Sequence, residues 1–170
     1  MCEIKVIVIG DTSVGKTCLL HTYTTNSFPE TYLPTVFDNY TTPISIGGKT
    51  VQMNLWDTSG ADDLDEMRPL SYPDTDCFML CFSIADEESF DRIKTKWVDE
   101  VRQNCGVDDP KIVIVGTKSD YRQNQNAIAL LEKQGKNIVK KEAIAQMAKE
   151  VGAAAWCECS AITQVGHGLV

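Results

Sequence analysis

GDTSVGKT, residues 10–17, stands between an apolar run (Ile4, Val6, Ile7, Val8, Ile9) and the apolar residues Cys18, Leu19 and Leu20. Strand, glycine loop and helix in that order suit a phosphate chain. Small loop residues let backbone N–H groups close on an anion, and the following helix adds its positive N-terminus. In this pattern Thr12, Ser13, Val14 and Gly15 offer amides, Lys16 reaches the β- and γ-phosphates, and the Thr17 hydroxyl ligates Mg²⁺.

The chain of 170 residues is long enough for one domain that buries about two-thirds of its unfolded surface. Its net charge of -8 and pI near 4.7 argue against a nucleic-acid partner, which needs clustered Lys and Arg. The ligand's charge is therefore met locally, by Lys16 and amides. The 7 cysteines are an odd number, no secretory signal is read ahead of the first strand, and no apolar run approaches a membrane span. A cytoplasmic protein with reduced thiols is expected. Cys157 and Cys159 lie two apart on one face of a strand, and with no second ligand pair they read as core cysteines rather than a zinc site.

Outward from the loop, strands and helices alternate. Cys18 to about Asn26 reads as a helix, and Phe28 to Asn39 as a long polar loop with Pro29 and Pro34. Tyr40–Ile46 and Thr50–Trp56 are β-rich runs split by Gly47-Gly48, a two-residue hairpin signal. Ser59–Asp65 is turn-rich, and Glu66–Tyr72 holds a helical turn or two before Pro73. Cys77–Ile84 is continuously apolar, as in a strand covered on both faces. Glu87–Cys105 carries Phe90, Ile93, Trp97, Val98 and Val101 at helical spacing. Lys111–Val115 is a further buried strand, Ala127–Lys133 and Lys140–Val151 are helices, and Ala154–Cys159 is the last strand. This alternation predicts an α/β fold, a mostly parallel sheet with helices on both faces, binding ligands beyond the carboxyl ends of the strands.

Three other polar strand ends should share that edge. At Asp57-Thr58-Ser59-Gly60 the carboxylate suits Mg²⁺ and the Gly60 amide a γ-phosphate. At Thr117-Lys118-Ser119-Asp120 a carboxylate can accept two N–H bonds from a guanine edge while the lysine stem packs on the base. At Ser160-Ala161-Ile162 backbone amides can meet the base's carbonyl oxygen. Each alone reads as a plain polar turn, but in this order after the phosphate loop they point to a guanine nucleotide, GTP or GDP.

With these strings in place, the chain resembles a small GTPase of the Rho family, closest to the Rac branch. GDTSVGKT followed by Cys18, FPETYLPTVFDNY, WDTSG, MRPLSYPDTD, TKSD and ECSAIT carry the resemblance, and Arg122 to about Ile138 resembles the Rho insert helix. The resemblance implies one guanine-nucleotide-binding domain over residues 1–170, with a small-GTPase-type P-loop fold on six strands. It implies that Phe28 contacts guanine, that Tyr32 and Thr35 belong to switch I with Thr35 reaching Mg²⁺ and γ-phosphate, and that Gly60 opens switch II. Lys118, Asp120 and Ala161 then read the base, with Ser160 and Ile162 beside them. The implied partners are exchange factors, effectors and dissociation inhibitors at the two switches and at Trp56, binding a monomer.

The departures bear on catalysis. Thr12 stands where the family has a second loop glycine, Ser59 where it has alanine, and Ala61 where it has the water-orienting glutamine. A methyl group neither donates to nor accepts from water, and Thr12 lies where an arginine finger would pass, so hydrolysis by the Lys16, Thr35, Gly60 and Ala61 machinery should be impaired. Ser59 could offset this if its hydroxyl reaches the water, although the Mg²⁺ side is the more natural place for it. Three classes are weighed: a slow GTPase switch, a non-hydrolysing GTP-binding module and a P-loop kinase, the last lacking a lid and catalytic arginines. The end at Gly166–Val170 shows no CaaX motif, so the family's final helix and lipidated tail, its route to membranes, would lie beyond a truncation or be naturally absent. Pro43 removes a ladder donor either toward an effector strand or toward its hairpin partner. Cys18, beside Lys16 at a helix N-terminus, is either thiolate-prone or buried and inert.

Overall fold

The first apolar run becomes β1 (Cys2–Gly10), and its alternating side chains feed both faces of the sheet built around it. The computed structural model describes residues 2–31, 35 and 37–166. Along the chain follow α1 (Lys16–Thr25), β2 (Phe37–Ile46), β3 (Lys49–Thr58), β4 (Cys77–Ser83) and α2 (Glu87–Arg92). After these come α3 (Val98–Asn104), β5 (Ile112–Thr117), α4 (Gln125–Lys133), α5 (Lys141–Glu150) and β6 (Ala155–Glu158). The six strands lie in the order β2-β3-β1-β4-β5-β6. Every neighbouring pair is parallel except β2 and β3. Those two are joined by Gly47-Gly48, both at positive φ, as a tight hairpin turn requires.

Period-two alternation divides the core. Ile7 and Ile9 of β1, with Phe78, Leu80, Phe82 and Ile114, pack against Trp97, Val101 and Ile144 on one face. Val6 and Val8, with Leu55, Met79, Cys81 and Val115, pack against Leu19 and Leu20 of α1 on the other. Cys159 belongs to this second cluster and the partly buried Cys157 packs against it.

Most element ends shift by one or two residues from the sequence reading, and three differences have a visible cause. β2 starts at Phe37 rather than Tyr40, because pairing of Phe37, Asp38 and Asn39 with Thr58, Asp57 and Trp56 satisfies backbone groups that side-chain patterning cannot reveal. The expected Glu87–Cys105 helix is interrupted by a π-helical turn at Ile93–Trp97, which 3.6-residue spacing does not anticipate. α4 starts at Gln125 rather than Ala127, since the Asn124 side chain accepts from the Ala127 amide at 3.1 Å and caps it. Among the described residues no helix is long and apolar enough to cross a membrane.

Candidate functional site

The predicted polar corners converge where β1, β3, β5 and β6 end. β1 stops at Gly10, whose position admits no side chain: a Cβ would stand 2.1 Å from the Cys81 carbonyl oxygen. The loop then turns through Ser13 (φ 64) and Gly15 (φ 105) before α1 begins. Val14 is buried and anchors the loop from below, and the Thr117 hydroxyl donates to its carbonyl. The Lys118 ammonium donates to the Ser13 carbonyl at 2.9 Å. Lys16 arches back over the turn, donating to the carbonyls of Gly10 and Asp11 at 2.8 Å each. Its burial lowers its pKa against the raising influence of nearby acidic groups. A cavity of about 240 Å³ opens above this cradle, bounded by Thr12, Lys16, Thr17, Thr35, Ser59 and Gly60 among others.

Oxygen donors gather at one side of the cavity. The Thr17 hydroxyl donates to Asp57 Oδ2 at 2.6 Å and lies 2.5 Å from the Thr35 hydroxyl. Asp57 Oδ1 is buried without a hydrogen-bond partner. Burial raises the Asp57 carboxyl above its ordinary range, partly offset by the Thr17 hydrogen bond. Two hydroxyls and one orphaned carboxylate oxygen form a hard donor set that fits Mg²⁺, which completes its octahedron with phosphate oxygens and water. Thr17, Thr35 and Asp57 would hold it, and the ion would neutralise charge on bridging phosphate oxygens.

The base end is a separate cavity of about 180 Å³ lined by Leu19, Phe28, Lys118, Asp120, Ala161 and Ile162 among others. Asp120 Oδ1 accepts from the Ser160 hydroxyl at 2.6 Å, and that hydroxyl accepts from the Thr163 amide at 3.2 Å. Ser160 is fully buried, so it orients the carboxylate from behind. The Ser119 amide donates to the Cys159 carbonyl at 3.0 Å, joining the two base-side loops. Arg122 reinforces them through Glu158 (Nε to Oε2, 2.9 Å) and the Val139 carbonyl at 2.7 Å. This brace shows in the string only as opposite charges 36 positions apart, which no local pattern links.

At the catalytic departures, Thr12 is exposed on the loop and Ala61 is half-buried. The Ser59 hydroxyl borders the cavity but accepts from the Ala61 amide at 3.2 Å. Gly60 lies flush against the phosphate loop: a Cβ there would meet Gly10 O at 2.2 Å and the Thr12 nitrogen at 2.5 Å. Arg68, given no role by the sequence reading, braces this segment from below, donating to the Ser59 carbonyl at 2.6 Å and to Glu100 at 2.9 Å with its guanidinium 4.7 Å from the centre of the Trp97 ring. Trp56 packs edge-on to Phe37 at 5.2 Å and beneath the Lys5 ammonium at 4.6 Å.

Of the two readings of Cys18, its surroundings favour the buried, inert one. Cys18 is half-buried, and desolvation raises its thiol above the ordinary value despite Lys118 nearby. Tyr32 lies outside the described residues. A comparison with protein families matches residues 5–167 to the Ras family.

Proposed function

Because the chain belongs to the Ras family of small GTPases over residues 5–167, we propose that it is a Rho/Rac-type switch that hydrolyses GTP slowly. As a family member it is a guanine-nucleotide switch of a group whose members bind Mg²⁺, hydrolyse GTP and engage regulators and effectors. The Rho/Rac part of this reading rests on the strings quoted above, and the slow hydrolysis on one observation. Among the described residues lining the phosphate cavity stand hydroxyls, amides, two lysines and a thiol, but no carboxamide or imidazole to orient a water, and the nearby Asp57 carboxylate is engaged by the Thr17 hydroxyl on the Mg²⁺ side. Ala61 contributes only a methyl group, and the Ser59 hydroxyl is held by the Ala61 amide.

The experiment is single-turnover GTP hydrolysis read by phosphate release. Wild type should run below the roughly 10⁻⁴ s⁻¹ scale of a glutamine-bearing relative, and Ala61→Gln should recover that scale. Response to an activating protein, an effect of about 10³ to 10⁵, should require Thr12→Gly as well. Wild type matching the double revertant would refute the reading. No turnover in wild type would favour the non-hydrolysing module.

Under this proposal Lys16, Thr17, Thr35, Asp57 and Gly60 serve the phosphates and Mg²⁺, while Phe28, Lys118, Asp120 and Ala161 serve guanine. Exchange factors, effectors and dissociation inhibitors would meet the switches and Trp56. A cytoplasmic, monomeric protein is part of the same proposal, checked by fractionation and light scattering.

A further inference from the structure

Arg92, at the end of α2, touches two loops at once. Its Nε makes an ion-pair contact 3.1 Å from Asp11 Oδ1, in the phosphate loop, without the alignment of a hydrogen bond, and its second terminal nitrogen donates to Asp62 Oδ1 at 2.9 Å. Asp11 immediately precedes Thr12, and Asp62 immediately follows Ala61. The two loops are already in apposition at Gly60, where no side-chain atom fits between them. We propose that Arg92 is a positioning residue that clamps the loop carrying Ala61 to the loop carrying Thr12.

The clamp follows from guanidinium chemistry. The group is planar and rigid, so the hydrogen bond from a terminal nitrogen to Asp62 also fixes where the Nε end of the charge stands beside Asp11. A lysine ammonium can bridge two carboxylates, as Lys96 does, but its freely rotating donors on a flexible stem fix no separation between them. Both ends are themselves anchored. Asp11 Oδ1 accepts from the indole of the fully buried Trp97 at 2.7 Å. Asp62 Oδ1 also accepts from Lys96 at 2.6 Å, and Lys96 reaches Asp65 at 2.9 Å. Lys96 and Arg68 hold the segment after Ala61 to the helix, but of these cations Arg92 alone pairs with a phosphate-loop carboxylate. The inference concerns loop placement and stands whatever the hydrolysis rate.

Hydrogen exchange of the nucleotide-loaded protein tests it. The reporters are the amides of Leu64, Asp65 and Met67, which donate to the carbonyls of Ala61, Asp62 and Leu64. Arg92→Gln should speed their exchange about three- to tenfold, the scale of two partly exposed ion pairs lost together. The Cys105 amide, donating to Val101 farther along the same helical run, should be unchanged. A role confined to helix stability would move that amide too. The decisive arm is coupling: Asp11→Asn, which keeps an acceptor for Trp97, and Asp62→Asn should be non-additive when Arg92 is present and additive in Arg92→Gln. Arg92→Lys should recover part of the protection at most. Unchanged exchange at residues 64–67 in Arg92→Gln, equal acceleration at Cys105, or additivity in the Arg92 background would each overturn the clamp.

Discussion

Asp120, proposed to read the base, illustrates how a single side chain is oriented by what stands behind it. The buried Ser160 hydroxyl takes one side of its carboxylate, leaving the rest to face the base cavity as an acceptor. Asp120→Asn presents a donor where guanine's N–H groups also donate. Affinity for GDP should fall about 10- to 100-fold, the scale of hydrogen bonds to a charged group, while xanthine nucleotides gain. Competition of XDP and GDP against labelled nucleotide measures this, and ATP competing equally with GTP would defeat the guanine reading. Cys18 shows the opposite effect of surroundings. Burial outweighs the helix terminus and the nearby Lys118, so the thiol is held above its ordinary value. Its alkylation in the nucleotide-free protein should be slower than that of free cysteine at pH 7 and keep climbing as pH passes 9. A plateau below pH 8 would restore the thiolate reading.

At the scale of elements, the hairpin answers which way Pro43 points. With a two-residue turn at Gly47-Gly48, Ile46 and Lys49 form the first hydrogen-bonded pair, and bonded and non-bonded pairs alternate from there. Ile44–Val51 and Thr42–Met53 are therefore bonded, while Pro43–Gln52 is not. The proline's missing N–H thus belongs to the free edge of β2 and costs β3 nothing, which explains how a proline sits mid-strand. Any extended partner added to this edge loses one donor. Pro43→Asn should tighten GTP-loaded protein binding to a Cdc/Rac-binding-motif peptide by about two- to tenfold, the worth of one net hydrogen bond. Equal affinities in a titration of both forms would leave Pro43 without a binding role.

At the scale of the whole molecule, β4 and β5 are covered on both faces, so the site rests on a doubly packed sheet centre. Ile114 in β5 is wholly buried against the helical layer, and Ile114→Ala should cost about 2–5 kcal/mol in urea unfolding. A loss below 1 kcal/mol would mean that this layer is looser than its burial implies.

Local chemistry was legible in the string: the phosphate loop, the Asp57, Asp120 and Ser160 corners, the hairpin, and the alternation that makes the sheet parallel all depend on residues within a few positions of one another. Tertiary structure alone decided the extension of β2 to Phe37, the π turn before Val98, the raised Cys18 thiol, and the Arg68, Arg92 and Arg122 contacts. Each of these depends on groups brought together from distant parts of the chain or on solvent excluded by them. Spacing along a sequence records periodicity and turn chemistry, whereas burial and the pairing of remote charges exist only once the chain has closed on itself.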